Sequence, residues 1–241
     1  MNEFMGEFVG TAILLLLGNG VNANVTLKDS YGQNSGWIVI TFGWAMAVFI
    51  AVFVSAEASG AHLNPAITLT LAVAGKFSWA QVPMYVLAQV MGGITGAGLA
   101  WLQYRPHYSA ETDPGKILGT FSTGPAIADT PSNFVSEVLG TFAFALAVLY
   151  ITGPIFGGES GKLGALDALP VALVVLGIGL SLGGTTGYAI NPARDLGPRI
   201  AHAILPIPNK GGSNWGYAWI PILGPLVGAA LAALTYRYLL T

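Results

Sequence analysis

The sequence predicts an all-α membrane protein in which six transmembrane helices and two re-entrant half-helices form an inverted repeat. Three observations predict it. Only 8% of the 241 residues are charged and 54% are hydrophobic, with a mean hydropathy of +0.65. A soluble domain is about 25% charged, so this chain has too few charges to solvate a soluble surface. Six apolar segments each approach a bilayer-crossing length, which is about 20 residues. Two further segments, too broken to cross, each carry an Asn-Pro-Ala triplet.

The same composition excludes other classes. The chain is too apolar for disorder. A net charge of -2 without a basic tract excludes a nucleic-acid surface. With no cysteine, disulfides, thiolate metal sites and Cys nucleophiles are out. The first Lys or Arg is Lys28, so the apolar run Ala12 to Leu17 lacks the positive start of a cleaved signal peptide and reads as a permanent span. Of the 33 Gly, 16 sit within the six apolar runs, where small residues let helix backbones approach closely.

The predicted spans are 4–24, 37–57, 80–104, 133–153, 166–183 and 217–240. Polar connections occupy 25–36, 105–132 and 154–165, the second being the longest and rich in Pro, Ser, Thr, Gly and Asp. Segments 58–76 and 184–204 read as re-entrant. Irregular backbone at membrane depth is tolerated where it lines a cavity or is buried in protein.

The chain repeats itself as one channel domain, with halves 1–104 and 133–241 joined by 105–132. Gly6-Glu7-Phe8-Val9-Gly10-Thr11 matches Ser136-Glu137-Val138-Leu139-Gly140-Thr141. Gly60-Ala61-His62-Leu63-Asn64-Pro65-Ala66 matches Gly187-Tyr188-Ala189-Ile190-Asn191-Pro192-Ala193. From Glu7 to Asn64 is 57 positions, and from Glu137 to Asn191 is 54. Gly92 with Gly96 corresponds to Gly224 with Gly228. Three spans per half invert the second half, which places the site near the midplane between halves.

Asn is a preferred N-cap and Pro suits the first helical turn. Asn64 and Asn191 therefore each start a half-helix, and the inverted halves set the two N-termini face to face. Each brings about half an elementary positive charge. Their amides are expected to donate hydrogen bonds into a lumen that favours neutral solutes over cations and protons. The residues before each triplet, Gly60, Ala61 and His62 in one half and Gly187 and Ala189 in the other, supply lumen-facing carbonyls. For His62, lining and loop bracing both stand open.

Glu7 and Glu137 lie inside apolar helices, where a carboxylate is costly and functional by default. A proton relay is one reading. Acceptance of N–H bonds from the re-entrant loop of the same half is the preferred one, because the pair follows the repeat. Gln89 is expected to brace similarly. Glu57 has no counterpart and sits at a pore mouth or the interface. Arg194, three residues after Asn191, reads as a lumen-facing guanidinium that offers fixed donors and repels cations.

These motifs resemble the major intrinsic protein family, the aquaporins and glycerol facilitators, over essentially the whole chain. The resemblance implies an aquaporin-like bundle, a homotetramer with one pore per subunit, a plasma-membrane location and cytoplasmic termini. The positive-inside rule slightly favours the reverse orientation: Lys76, Lys162 and Arg237 lie on the side of the termini, and Lys28, Arg105, Lys116 and Lys210 on the other. Within the family the chain looks like the glycerol-facilitator branch, whose selectivity filter has Trp, Gly, Phe and Arg. The matching positions are Trp44, Gly179, Tyr188 and Arg194, with Tyr188 in place of Phe. Water-only channels usually have His where Gly179 stands. Tyr104, Asp195, Arg199, Pro221 and Ile222 also match the branch.

The expected function is passive diffusion of small uncharged solutes: glycerol and related polyols, water and protonated small organic acids such as lactic acid. No enzyme activity, cofactor or metal is expected. The rivals are a water-selective channel, a coupled secondary transporter, for which Glu7 and Glu137 are the candidate ion ligands, and a scaffold built on the same bundle.

Overall fold

The computed structural model describes residues 1–151, 155–156 and 159–240. Its helices are α1 (Glu3–Thr26), α2 (Trp37–Ser59), α3 (Pro65–Val73), α4 (Val82–Gln103), α5 (Arg105–Ala110), α6 (Pro114–Phe121), α7 (Thr130–Tyr150), α8 (Leu169–Leu182), α9 (Pro192–Ile204) and α10 (Ile220–Thr235). Among the described residues, six helices are long and apolar enough to cross a membrane: α1, α2, α4, α7, α8 and α10, with the short 3-10 segments Trp79–Gln81 and Gly164–Ala168 extending α4 and α8 and a π turn extending α10. A two-residue antiparallel pair, Ile155–Phe156 with Glu159–Ser160, falls in the 154–165 connection, the rest of whose first part lies outside the described residues.

The half-helices α3 and α9 begin where the caps predict. Asn64 Oδ1 accepts from Ala66 N at 2.8 Å, and Asn191 Oδ1 accepts from Ala193 N at 3.0 Å and Arg194 N at 3.2 Å. Neither half-helix is long enough to span, at 9 and 13 residues.

Two expectations are corrected. Connection 105–132 is not irregular but holds α5 and α6. Asp113 caps α6, accepting from Gly115 N and Lys116 N, and Pro114 takes the first turn, a local signal that the polar composition masked. The fourth span runs 130–150 rather than 133–153, because Asp129 caps it from Ser132 N.

Glycine sets the helix crossings. A Cβ on Gly96 would meet Ala12 O at 2.3 Å, and one on Gly228 would meet Val138 O at 2.4 Å. Thus α4 lies on α1 as α10 lies on α7. A third crossing holds α9 in the bundle: Gly197 faces the Gly93 backbone at 2.9 Å from its Cβ position, and a Cβ on Gly93 would meet Ala193 O at 2.8 Å. Backbone cannot yield as a flexible side chain does. Gly93→Val should therefore lower thermal stability in detergent by about 1–3 kcal/mol and shift Asn191 and Arg194, with reduced glycerol flux in vesicles as the second readout.

Candidate functional site: a pore between the two half-helices

Ahead of each half-helix the backbone is forced into an unusual path. Gly60, Ala61 and Leu63 have φ of 78°, 51° and 53°, and Gly187, Tyr188 and Ile190 have 82°, 37° and 43°. Positive φ is rare outside glycine and an outlier for a β-branched residue. Such strain persists only where surrounding contacts over-determine it.

The two buried glutamates supply those contacts. Glu7 Oε1 accepts from His62 N at 2.9 Å and Ser59 Oγ at 2.7 Å, while its Oε2 accepts from Leu63 N at 2.7 Å and Gln89 Nε2 at 2.7 Å. Glu137 Oε1 accepts from Ala189 N at 3.0 Å and Thr186 Oγ1 at 2.6 Å, and its Oε2 accepts from Ile190 N at 3.0 Å. The amides of these two extended segments are thus taken up by the carboxylates. Every oxygen of both carboxylates is thereby engaged by protein donors.

The halves are also tied to each other. Asn64 Nδ2 donates to Ile190 O at 2.8 Å, and Asn191 Nδ2 donates to Leu63 O at 2.9 Å. An amide nitrogen carries two donors, so one remains on each Asn. The amides therefore do not face the lumen with both hydrogens: half of their capacity locks the two half-helices together.

Two cavities, of about 230 and 190 Å³, lie between these elements. Gly60, Ala61, His62, Asn64, Ala189 and Asn191 line the larger, opposite an apolar wall that includes Val48, Val52, Phe144 and Val175. Gly187 lines the smaller, with Asn22, Trp37, Ser122 and Thr123. Trp44, Tyr188 and Arg194 line both, so these three stand where the two cavities adjoin. The Arg194 guanidinium lies 4.0 Å from the Trp44 ring centroid and its Nη1 donates to Phe121 O at 3.1 Å. Arg194 thus brings a charged donor group, and Trp44 and Tyr188 two aromatic rings, to the junction of the cavities.

Gly179, the fourth expected member, lines neither cavity. A Cβ there would sit 2.9 Å from Tyr188 Cζ and 2.9 Å from Thr41 Cγ2. It stands one layer behind the Tyr188 ring and leaves room for it. Tyr188 Oη is buried in that layer, so the ring, rather than the hydroxyl, borders the passage. Trp37 completes the arrangement: its Nε1 donates to Gly179 O at 2.9 Å and its ring meets Tyr188 edge-on at 5.9 Å.

His62 both lines the larger cavity and is braced. Its ring packs on Phe77 and Tyr85, with centroids at 4.6 and 4.8 Å, and its Nδ1 lies 3.1 Å from Thr68 Oγ1. Thr68 Oγ1 gives its hydrogen to Asn64 O at 3.1 Å and accepts from Gln89 Nε2 at 3.0 Å. That pattern assigns the Nδ1 hydrogen to His62 and leaves Nε2 as an acceptor.

Asp195 and Arg199 form a buried ion pair at 2.8 Å. Asp195 Oδ2 accepts from Thr123 N and Thr123 Oγ1 at 2.8 and 2.7 Å, and Arg199 donates to Thr123 O, Ser213 O and Asn214 O. The pair therefore clamps two connections over α9 on the side of the smaller cavity. Of the other branch-matching residues, Tyr104 packs against the cluster around Trp101 and Tyr108, and Pro221 and Ile222 stand in the first turn of α10. Glu57 is exposed on α2 and lines neither cavity.

Sequence reasoning missed Asn22, Trp37, Phe121, Thr123 and Asp167. Asp167 is among the residues lining the larger cavity. Phe121 acts through its carbonyl, which no residue type announces.

The sequence profile described as Major intrinsic protein matches residues 1–236. The chain is 56% identical over 236 residues to the glycerol uptake facilitator protein of Streptococcus pneumoniae strain R6, covering 98% of each. It is 50% identical over 237 residues to the glycerol uptake facilitator protein of Bacillus subtilis, covering 98% of this chain and 84% of that one. Among solved structures it is similar to the aquaglyceroporin from Plasmodium falciparum, with a TM-score of 0.84 and 32% identity over 99% of this chain and 96% of that one. A match across nearly the whole chain, on a fold of six crossing helices and two half-helices, makes this chain a member of the major intrinsic protein family.

Proposed function

We propose that the chain is a passive channel for glycerol and related small uncharged solutes, with Trp44, Tyr188 and Arg194 as its selectivity filter and Gly179 giving the filter its width. The observation that carries the reading is that Trp44, Tyr188 and Arg194 line both cavities. A polyol presents C–H groups on one side and hydroxyls on the other, matching a lining in which two aromatic rings stand beside a guanidinium. Asn64 and Asn191 form the central constriction, where two half-helix N-termini oppose cations. Water follows the same path. The names of the relatives, glycerol uptake facilitators, support the choice of solute.

A coupled transporter would need an ion ligand with free capacity. The Glu7 carboxylate already takes four donors and the Glu137 carboxylate three, so both are committed to holding the two re-entrant segments. The assembly we propose is a homotetramer in the plasma membrane with cytoplasmic termini. Large apolar side chains exposed on several helices, such as Phe42, Leu87, Leu139 and Leu173, suit lipid and neighbouring copies.

The test is uncoupled flux. Glycerol uptake into proteoliposomes should scale with the glycerol gradient and ignore imposed proton or sodium gradients. Accumulation above the outside concentration would overturn the channel reading. For lactic acid, a desolvated carboxylate is costly beside the Trp44 and Tyr188 rings. Its flux at fixed total concentration should therefore fall as pH rises above the acid's own pKa, and flux proportional to the anion would contradict the proposed filter.

A further inference from the structure

Trp44 carries a single hydrogen-bond donor, and it does not face the passage. Its Nε1 donates to Asn22 Oδ1 at 3.0 Å, across from α2 to α1. Asn22 is itself buried, and its Nδ2 reaches Gly119 O in α6 at 3.4 Å. The other two sides of the indole are equally fixed. Gly18, one turn before Asn22, lies under the six-membered ring: a Cβ there would come within 2.3 Å of it. Arg194 covers a face at 4.0 Å from the ring centroid.

We infer that Asn22 is a specificity-determining positioning residue: it holds the Trp44 indole in place and takes up its N–H, so that the filter shows solutes an apolar wall. This rests on the proposed filter. An indole N–H is a donor only. Left unpaired at this depth it would turn toward water or a permeating hydroxyl, because an orphaned buried donor is costly. The aromatic corner would then gain a polar point and lose its fit to the C–H side of a polyol, while water would gain a partner. Asn22 lines the smaller cavity beside Trp44 and Arg194, yet it acts through the indole. Nothing in the spacing of α1 marks it, since its partner is 22 positions away on another helix.

The test is a double-mutant cycle on the glycerol-to-water permeability ratio, measured by stopped-flow light scattering on proteoliposomes. A ratio is independent of the amount of protein reconstituted. Asn22→Leu should lower it at least fivefold, and Asn22→Asp, which retains the acceptor, should stay within about twofold of the parent. In a Trp44→Phe background, which has no N–H to hold, Asn22→Leu should change nothing further. A purely structural role for Asn22 would lower the ratio equally in both backgrounds or leave it unaltered in both, and either result overturns the inference. If Asn22→Leu does not insert, Asn22→Ala removes the same acceptor and takes its place. Should Trp44→Phe itself leave the ratio at the parent value, the filter assignment fails; should Trp44→Phe change it while Asn22→Leu does not, only the role of Asn22 fails.

Discussion

Gly179→His should cost at least about tenfold in glycerol permeability while water still passes, a differential barrier of about 1.4 kcal/mol. The reason is the layer behind the filter. Even a Cβ at position 179 would come within 2.9 Å of Tyr188 Cζ and 2.9 Å of Thr41 Cγ2. The imidazole cannot stay in that layer, so it either pushes the Tyr188 ring toward Arg194 or enters the passage itself. Both outcomes narrow the opening for a three-carbon solute more than for water. Gly179→Ala should act in the same direction and more weakly. Tyr188→Phe should be the mildest change, because Oη is buried behind the ring and its removal leaves the wall of the passage as it was. The measurement is the paired glycerol and water permeability of each variant. An unchanged ratio in properly inserted Gly179→His would place the filter elsewhere.

The second large effect is expected from the glutamates. Glu7→Leu orphans the N–H groups of His62 and Leu63 and one hydrogen of Gln89 Nε2, and leaves Ser59 Oγ only its long bond to Ser55 O at 3.4 Å. Glu137→Leu orphans three donors, on Thr186, Ala189 and Ile190. Each buried orphan costs about 1–3 kcal/mol, and the positive-φ strands lose what holds them. Both variants should unfold at markedly lower temperature in detergent and conduct glycerol at the rate of protein-free vesicles. Glu7→Gln and Glu137→Gln retain one acceptor oxygen and should be intermediate. A proton relay predicts a different pattern, with the Leu variants stable and glycerol-conducting and only proton movement lost. Wild-type glycerol conduction by Glu7→Leu would remove the bracing role.

What the sequence made legible was local or duplicated. Asn64-Pro65 and Asn191-Pro192 carry their own capping chemistry, so both half-helices could be placed without tertiary information. Glu7 and Glu137 were legible because they stand at matching positions in the two halves, in segments where a carboxylate needs a reason. The filter was only partly legible. Arg194 follows a triplet, but Trp44 and Gly179 were reached through family resemblance, and the latter's space proved to lie behind a ring. Asn22, Trp37 and Thr123 were invisible because each acts on a residue of another helix. Phe121 was invisible because its contribution is a carbonyl. The helices in 105–132 were obscured by a composition that reads as loop, although Asp113-Pro114 is a start signal of the same kind as Asn64-Pro65.

The pore is expected to pass glycerol and exclude charge. Purified protein in liposomes, given an inward glycerol gradient with membrane current recorded on planar bilayers of the same lipid, tests both parts together. Glycerol permeability should lie well above that of protein-free vesicles, with no current above background in sodium, potassium or proton gradients. Glycerol permeability equal to that of protein-free vesicles, or an ionic current carried by the protein, would contradict the channel reading.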